Sequence, residues 1–62
     1  MLTERQWQVV TEAVARGYYD TPRECTLAEL AETFDVDKSA VSKLLQRAER
    51  RLVKKFVTEA AP

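Results

Sequence analysis

Between Lys38 and Lys54 the chain spaces its hydrogen-bond donors so that they would fall on one side of a helix. On a wheel of about 100° per residue, Ser39, Lys43, Gln46, Arg47, Arg50 and Lys54 share one arc, with Lys38 and Ser42 on its N-terminal shoulder. The chemistry suits the edges of nucleic acid bases: lysine and arginine donate to guanine O6 and N7, glutamine pairs with adenine, and serine takes either role. Lys38, Ser39, Ser42 and Lys43, in the first two turns, are expected to reach bases. Gln46, Arg47, Arg50 and Lys54, with Thr26 from the preceding segment, are expected at phosphates. A basic arc is also the ordinary solvated face of a helix, so its meaning depends on the elements that position it.

The opposite arc of the same stretch holds Val41, Leu44, Leu45, Ala48 and Leu52, which predicts burial on one side only. Ahead of it, Leu27, Leu30, Ala31 and Phe34 fall at helical spacing, and Thr26 three residues before Glu29 forms a capping box. Asp35-Val36-Asp37 breaks the pattern, with Val36 as the buried turn residue and Asp37 offering a side-chain oxygen to the free N–H groups from Lys38 to Ala40. Two helices across a tight turn, the second with a basic outer face, make a helix-turn-helix.

A first helix begins at a second capping box, Thr3 with Gln6, stapled by Leu2 and Trp7. Trp7, Val10, Ala13 and Val14 form its expected inner stripe, while Glu4, Gln8, Glu12 and Arg16 stay wet. Gly17 stands where a left-handed C-terminal cap belongs, and Tyr18 can fold back on the last turn. The expected fold is all-α: a small three-helix bundle, with at most an extra short turn, ending in a long recognition helix. Its helices run over about 4–16, 27–34 and 38–58, in one unit spanning 1–62.

Sixty-two residues leave no room for a separate catalytic domain. Formal net charge is zero, but the zero conceals a division: Met1–Asp37 carries three basic and eight acidic residues, Lys38–Pro62 seven basic and two acidic. Such segregation orients one helix toward a polyanion. With one cysteine and no histidine, neither a disulfide nor a Cys/His zinc site can be assembled, and Cys25 is expected to pack as a small hydrophobe. No cofactor is indicated. There is no histidine, phosphate loop or paired carboxylate to suggest an enzyme. No apolar run is long enough to span a bilayer and no secretory pattern opens the chain, so a cytoplasmic protein is expected.

Tyr18 to Cys25 is a connector, since Asp20 and Pro22 disfavour helix. One of its two tyrosines is expected to cover the core with its hydroxyl in water; a tyrosine hydroxyl or Arg23 touching a phosphate is the second reading. Beyond Leu52 the apolar side shifts: Val53, Phe56, Val57 and Ala60 centre roughly a quarter-turn from the earlier arc. Val53, Phe56 and Val57 are therefore expected to contact a second copy, giving a homodimer that sets two basic helices on successive major-groove faces. The rival reading is a protein-interaction module that uses the same residues to hold a partner helix.

The motifs L-T-E-R-Q from Leu2, G-Y-Y-D-x-P-R from Gly17, L-A-E-L-A-E from Leu27, K-S-A-V-S from Lys38 and L-x-R-A-E-R-R-L from Leu45 together resemble the bacterio-opsin activator type of helix-turn-helix domain. The resemblance runs from Leu2 to about Phe56. The connector is its most specific part, because the helix-turn-helix is also similar to sigma-factor region 4 and LuxR-type regulators. It implies a haloarchaeal transcription regulator that binds double-stranded DNA. Such domains usually close longer regulators, whereas Met1 here stands one residue before the motif, so either an excised domain or a stand-alone small protein is expected.

Overall fold

The computed structural model describes residues 2–60. The expected unit of 1–62 also includes Met1, Ala61 and Pro62, which lie outside the described residues. Three helices follow in order: α1 (Glu4–Ala15), α2 (Leu27–Thr33) and α3 (Lys38–Ala60). Both predicted capping boxes form. Thr3 Oγ1 accepts from the Gln6 N–H at 3.1 Å while Gln6 Oε1 accepts from the Thr3 N–H at 3.1 Å. In α2, Thr26 Oγ1 accepts from the Glu29 N–H at 3.1 Å and the Glu29 carboxylate accepts from the Thr26 N–H at 2.8 Å. Each box satisfies two N-terminal donors that would otherwise lack partners.

α1 and α2 end in the same way. Tyr18 N–H donates to the Ala13 carbonyl at 2.9 Å and Gly17 N–H to Val14 at 3.3 Å; Val36 N–H donates to Ala31 at 3.0 Å and Asp35 N–H to Glu32 at 3.1 Å. These are paired Schellman closures, which need a left-handed residue at the second position outside the helix proper. Gly17 supplies it with φ 83°, and Asp35 supplies it with φ 55°. Aspartate tolerates that region better than most residues because its short polar side chain bonds locally.

The core consists of Val9, Val10, Ala13, Cys25, Leu30, Ala31, Val41, Leu45 and Ala48, with Leu2, Tyr18, Leu27, Phe34, Val36, Leu44 and Leu52 packed around it. Leu30, Val9 and Val41 are its largest fully buried side chains, and each such burial contributes about 1.5–3 kcal/mol. Ala13 and Ala48 are fully buried as well; their small side chains let helices approach closely.

The inner stripe of α1 differs from the expected one. Val10 and Ala13 are buried, but Trp7 is 54% exposed and Val14 61% exposed, and their places are taken by Gln6 and Val9. Gln6 is fixed by its capping duty, and its amide oxygen also accepts from Arg51 of α3 at 3.4 Å. This turns the Gln6, Val9 and Ala13 line inward and carries the indole outward. Trp7 thus lies outside the core, whereas Leu2 packs against it.

Candidate nucleic-acid interface

The corner before α3 is built from short-range bonds. Asp37 Oδ1 accepts from the Ala40 N–H at 2.8 Å and from the Ser39 hydroxyl at 3.0 Å. The Ala40 N–H, then the Ser39 hydroxyl, hold the Asp37 carboxyl below its ordinary range, with the Lys43 charge adding a smaller pull. Asp37 thus caps α3 as an anion, and Val36 in the turn packs half-buried on the core.

α3 then divides cleanly. Val41, Leu45 and Ala48 are buried, while Lys38, Ser39, Lys43, Gln46, Arg47, Arg50 and Lys54 are exposed and Ser42 is half-buried at the margin. The structure therefore brings the expected base-contacting and phosphate-contacting residues of α3 onto one solvent face. The ion pairs among the described residues are Arg16 with Glu12 at 3.9 Å and Lys55 with Glu59 at 2.7 Å, so none engages Lys38, Lys43, Arg47, Arg50 or Lys54. The face is a row of cations and hydrogen-bond donors. Ser39 is the exception, since its proton is committed to Asp37 and it offers acceptor capacity outward.

Thr26 is exposed at the start of α2 and its hydroxyl already accepts from Glu29. The Glu29 carboxyl is held below its ordinary range, chiefly by the Thr26 backbone N–H and then by its hydroxyl. A negative charge consequently stands beside Thr26, as the Asp37 carboxylate stands beside Ser39. Arg16 of α1 donates to the Thr33 hydroxyl of α2, and the Arg5 guanidinium lies 5.5 Å from the Phe34 ring centroid, so polar links also tie α1 to α2.

In the connector one tyrosine covers the core, as expected, and the other makes a contact to α3 that the residues did not announce. Tyr18 covers part of the core, and the Arg23 guanidinium stacks over its ring at 4.3 Å. Tyr19 meets Tyr18 edge-on at 5.0 Å and donates its hydroxyl to the Glu49 carboxylate on α3. Burial, then the bond to Glu49 and its charge, raise the Tyr19 phenol well above its ordinary range. The one available signal was Glu49 itself, an acid set inside a basic stretch. Tyr18 is thus the tyrosine that covers the core, while Tyr19 is exposed with its hydroxyl bound to Glu49. Cys25 is 2% exposed and packs as a small hydrophobe, its thiol 3.6 Å from the Thr26 carbonyl.

Leu52 is the last residue of α3 packed against the core; Val53, Phe56 and Val57 are 61%, 73% and 58% exposed. Among the described residues no cluster of histidine, cysteine or carboxylate is placed to hold a metal ion, and no helix is long and apolar enough to cross a membrane.

Comparison with known proteins finds a match to a family model described as an HTH DNA binding domain over residues 2–54. The chain is 44% identical over 59 residues to a dimethyl sulfoxide reductase transcriptional activator of Halobacterium salinarum, covering 95% of this chain and 26% of that protein. It is 45% identical over 51 residues to a protein of the same name from Haloferax volcanii, covering 82% and 24%. A bacterioopsin transcriptional activator of Halobacterium salinarum is 36% identical over 58 residues, covering 94% and 9%. The chain thus spans about a quarter or less of the length of these relatives. No solved structure matches it.

Proposed function

This chain belongs to the family of helix-turn-helix DNA-binding domains found in haloarchaeal transcriptional activators, and from that premise we propose that it regulates transcription by inserting the N-terminal half of α3 into the major groove of double-stranded DNA. Lys38, Ser39, Ser42 and Lys43 read base edges; Gln46, Arg47, Arg50 and Lys54, helped by Thr26, hold phosphates. The whole of 1–62 acts as one binding unit, in the cytoplasm where the DNA lies. The observation that carries this reading is the exposed cationic arc of α3, free of ion pairs among the described residues, standing opposite Val41, Leu45 and Ala48. Its test is titration of duplex DNA at several salt concentrations, followed by selection of bound oligonucleotides from a random pool. Affinity that rises steeply as salt falls, with a recovered consensus, is the expected result. Indifference to duplex at low salt would overturn it.

Two copies pair through Val53, Phe56 and Val57, whose exposure on a helix projecting past its own core supports an interface. A two-fold pair sets the two α3 helices on successive turns of the duplex. The same three side chains favour one other reading, a module that receives a partner helix. A monomer in sedimentation, with or without DNA, would remove the dimer, and indifference to duplex at low salt would favour the module over DNA binding.

A further inference from the structure

We infer that Tyr19 is a positioning residue for DNA binding: its hydroxyl holds Glu49 against the connector and so keeps a carboxylate away from the phosphate-facing side of α3. This rests on the DNA reading above and extends it to a residue outside the helix-turn-helix.

α3 contains seven cations and two acids, Glu49 and Glu59. Glu59 is paired with Lys55 at 2.7 Å. Glu49 has no such partner on its own helix: the positions three and four away are Leu45, Gln46, Leu52 and Val53, none of them cationic. It stands immediately before Arg50 and one turn after Gln46, inside the stretch that faces phosphates. On the wheel it lies about 80° from Val41, hence on the shoulder between core and basic arc. A glutamate there swings to either side unless something holds it. What holds it is a tyrosine thirty residues earlier in the chain.

The support behind that tyrosine is well made. The Gly17 carbonyl accepts from the Asp20 N–H at 3.2 Å and from the Glu24 N–H at 2.9 Å, closing the connector on itself. Tyr18 anchors it to the core under Arg23, and Tyr19 leans edge-on against Tyr18. Partial burial and the neighbouring Glu49 carboxylate push the Tyr19 phenol above its ordinary range, so the half-exposed hydroxyl is protonated and can donate at neutral pH.

The experiment measures duplex affinity at fixed salt for the wild type, Tyr19→Phe, Glu49→Gln and the double variant, each first checked for an unchanged melting profile. Released toward the phosphates, the carboxylate repels them, so Tyr19→Phe is expected to weaken binding by about three- to tenfold. Glu49→Gln is expected to bind at least as well as the wild type, and the double variant to match Glu49→Gln. That rescue separates control of a charge from loss of a structural contact, which would persist in the double variant. Persistence of the loss, or a Tyr19→Phe affinity equal to wild type, overturns the inference. Failure of the wild type to bind any duplex overturns the DNA reading and this inference with it, and is told apart by the wild-type titration alone.

Discussion

The hydroxyl of Ser39 donates to Oδ1 of Asp37 at 3.0 Å, so the first exposed serine of the proposed recognition helix faces outward with acceptor capacity rather than a free proton. In a groove such a group suits the exocyclic amine of adenine or cytosine. The same carboxylate oxygen takes the Ala40 N–H, which makes the start of α3 and the presentation of Ser39 one arrangement.

That arrangement should be sensitive to acid. Asp37 and Glu29 both titrate below their unfolded values, Asp37 chiefly through the Ala40 N–H and Glu29 chiefly through the Thr26 N–H. A depressed folded value means the stabilisation is fully present above the unfolded carboxylate range near pH 4 and disappears as pH falls through the folded values. Circular dichroism melts between pH 7 and pH 2 should therefore be level down to about pH 5 and drop below about pH 4. In Glu29→Gln/Asp37→Asn the acid limb should be shallower; an identical limb would assign it to other carboxylates.

The two Schellman closures should respond differently to substitution. At Gly17 an added Cβ would stand 2.8 Å from the Glu24 Cβ in a left-handed conformation, so Gly17→Ala should cost about 2 kcal/mol or more. Asp35 already accepts φ 55°, and Asp35→Gly should be neutral to slightly stabilising, whereas Asp35→Val should cost about 1–2 kcal/mol. Urea unfolding of the three variants decides this; equal effects of Asp35→Gly and Asp35→Val would mean that backbone conformation at the corner is not what matters.

Lys43 and Arg50 lie on the same arc but should fail in different ways. If Lys43 makes its base contact, Lys43→Ala weakens the selected site more than random duplex, by about 1–3 kcal/mol. Arg50→Ala should weaken all sequences alike and reduce the slope of log affinity against log salt by about one. Fluorescence anisotropy on both duplexes at three salt concentrations separates the two, and exchanged behaviours would reverse the assignment.

The exposed stripe on the tail is tested by mass. Phe56→Glu/Val57→Glu should convert a dimer to a monomer in sedimentation without lowering helix content, because neither residue supports the core. If the variant sediments as the wild type does, these side chains are not the contact between copies.

What could be read from the residues was what neighbouring residues decide. Caps at Thr3, Thr26 and Asp37, the reversal at Gly17 and the break at Asp35–Asp37 depend on bonds spanning three to five positions, and all are present. The phase of α1 was not legible, because Trp7, Val10, Ala13 and Val14 fit helical spacing as well as Gln6, Val9, Val10 and Ala13 do. Only the packing partners choose between them, and the compact interior took the smaller set. Beyond the hint of one acid, Glu49, inside a basic stretch, nothing local announced that Tyr19 would meet Glu49 or Gln6 would meet Arg51, since those meetings follow from how α1 and the connector come to rest on α3. The chemistry of the outer face was legible because it needs only the period of one helix and the side on which the core lies.

From Lys38 to Ala60 there is no break, so the end proposed to meet a duplex and the end bearing Phe56 are two ends of a single stiff shaft. Because Val41, Leu45 and Ala48 lock α3 onto the other two helices, a partner held at the far end keeps a fixed direction relative to the Lys38 end. If α3 enters the groove as proposed, whatever occupies the Phe56 end acquires a set bearing relative to the duplex.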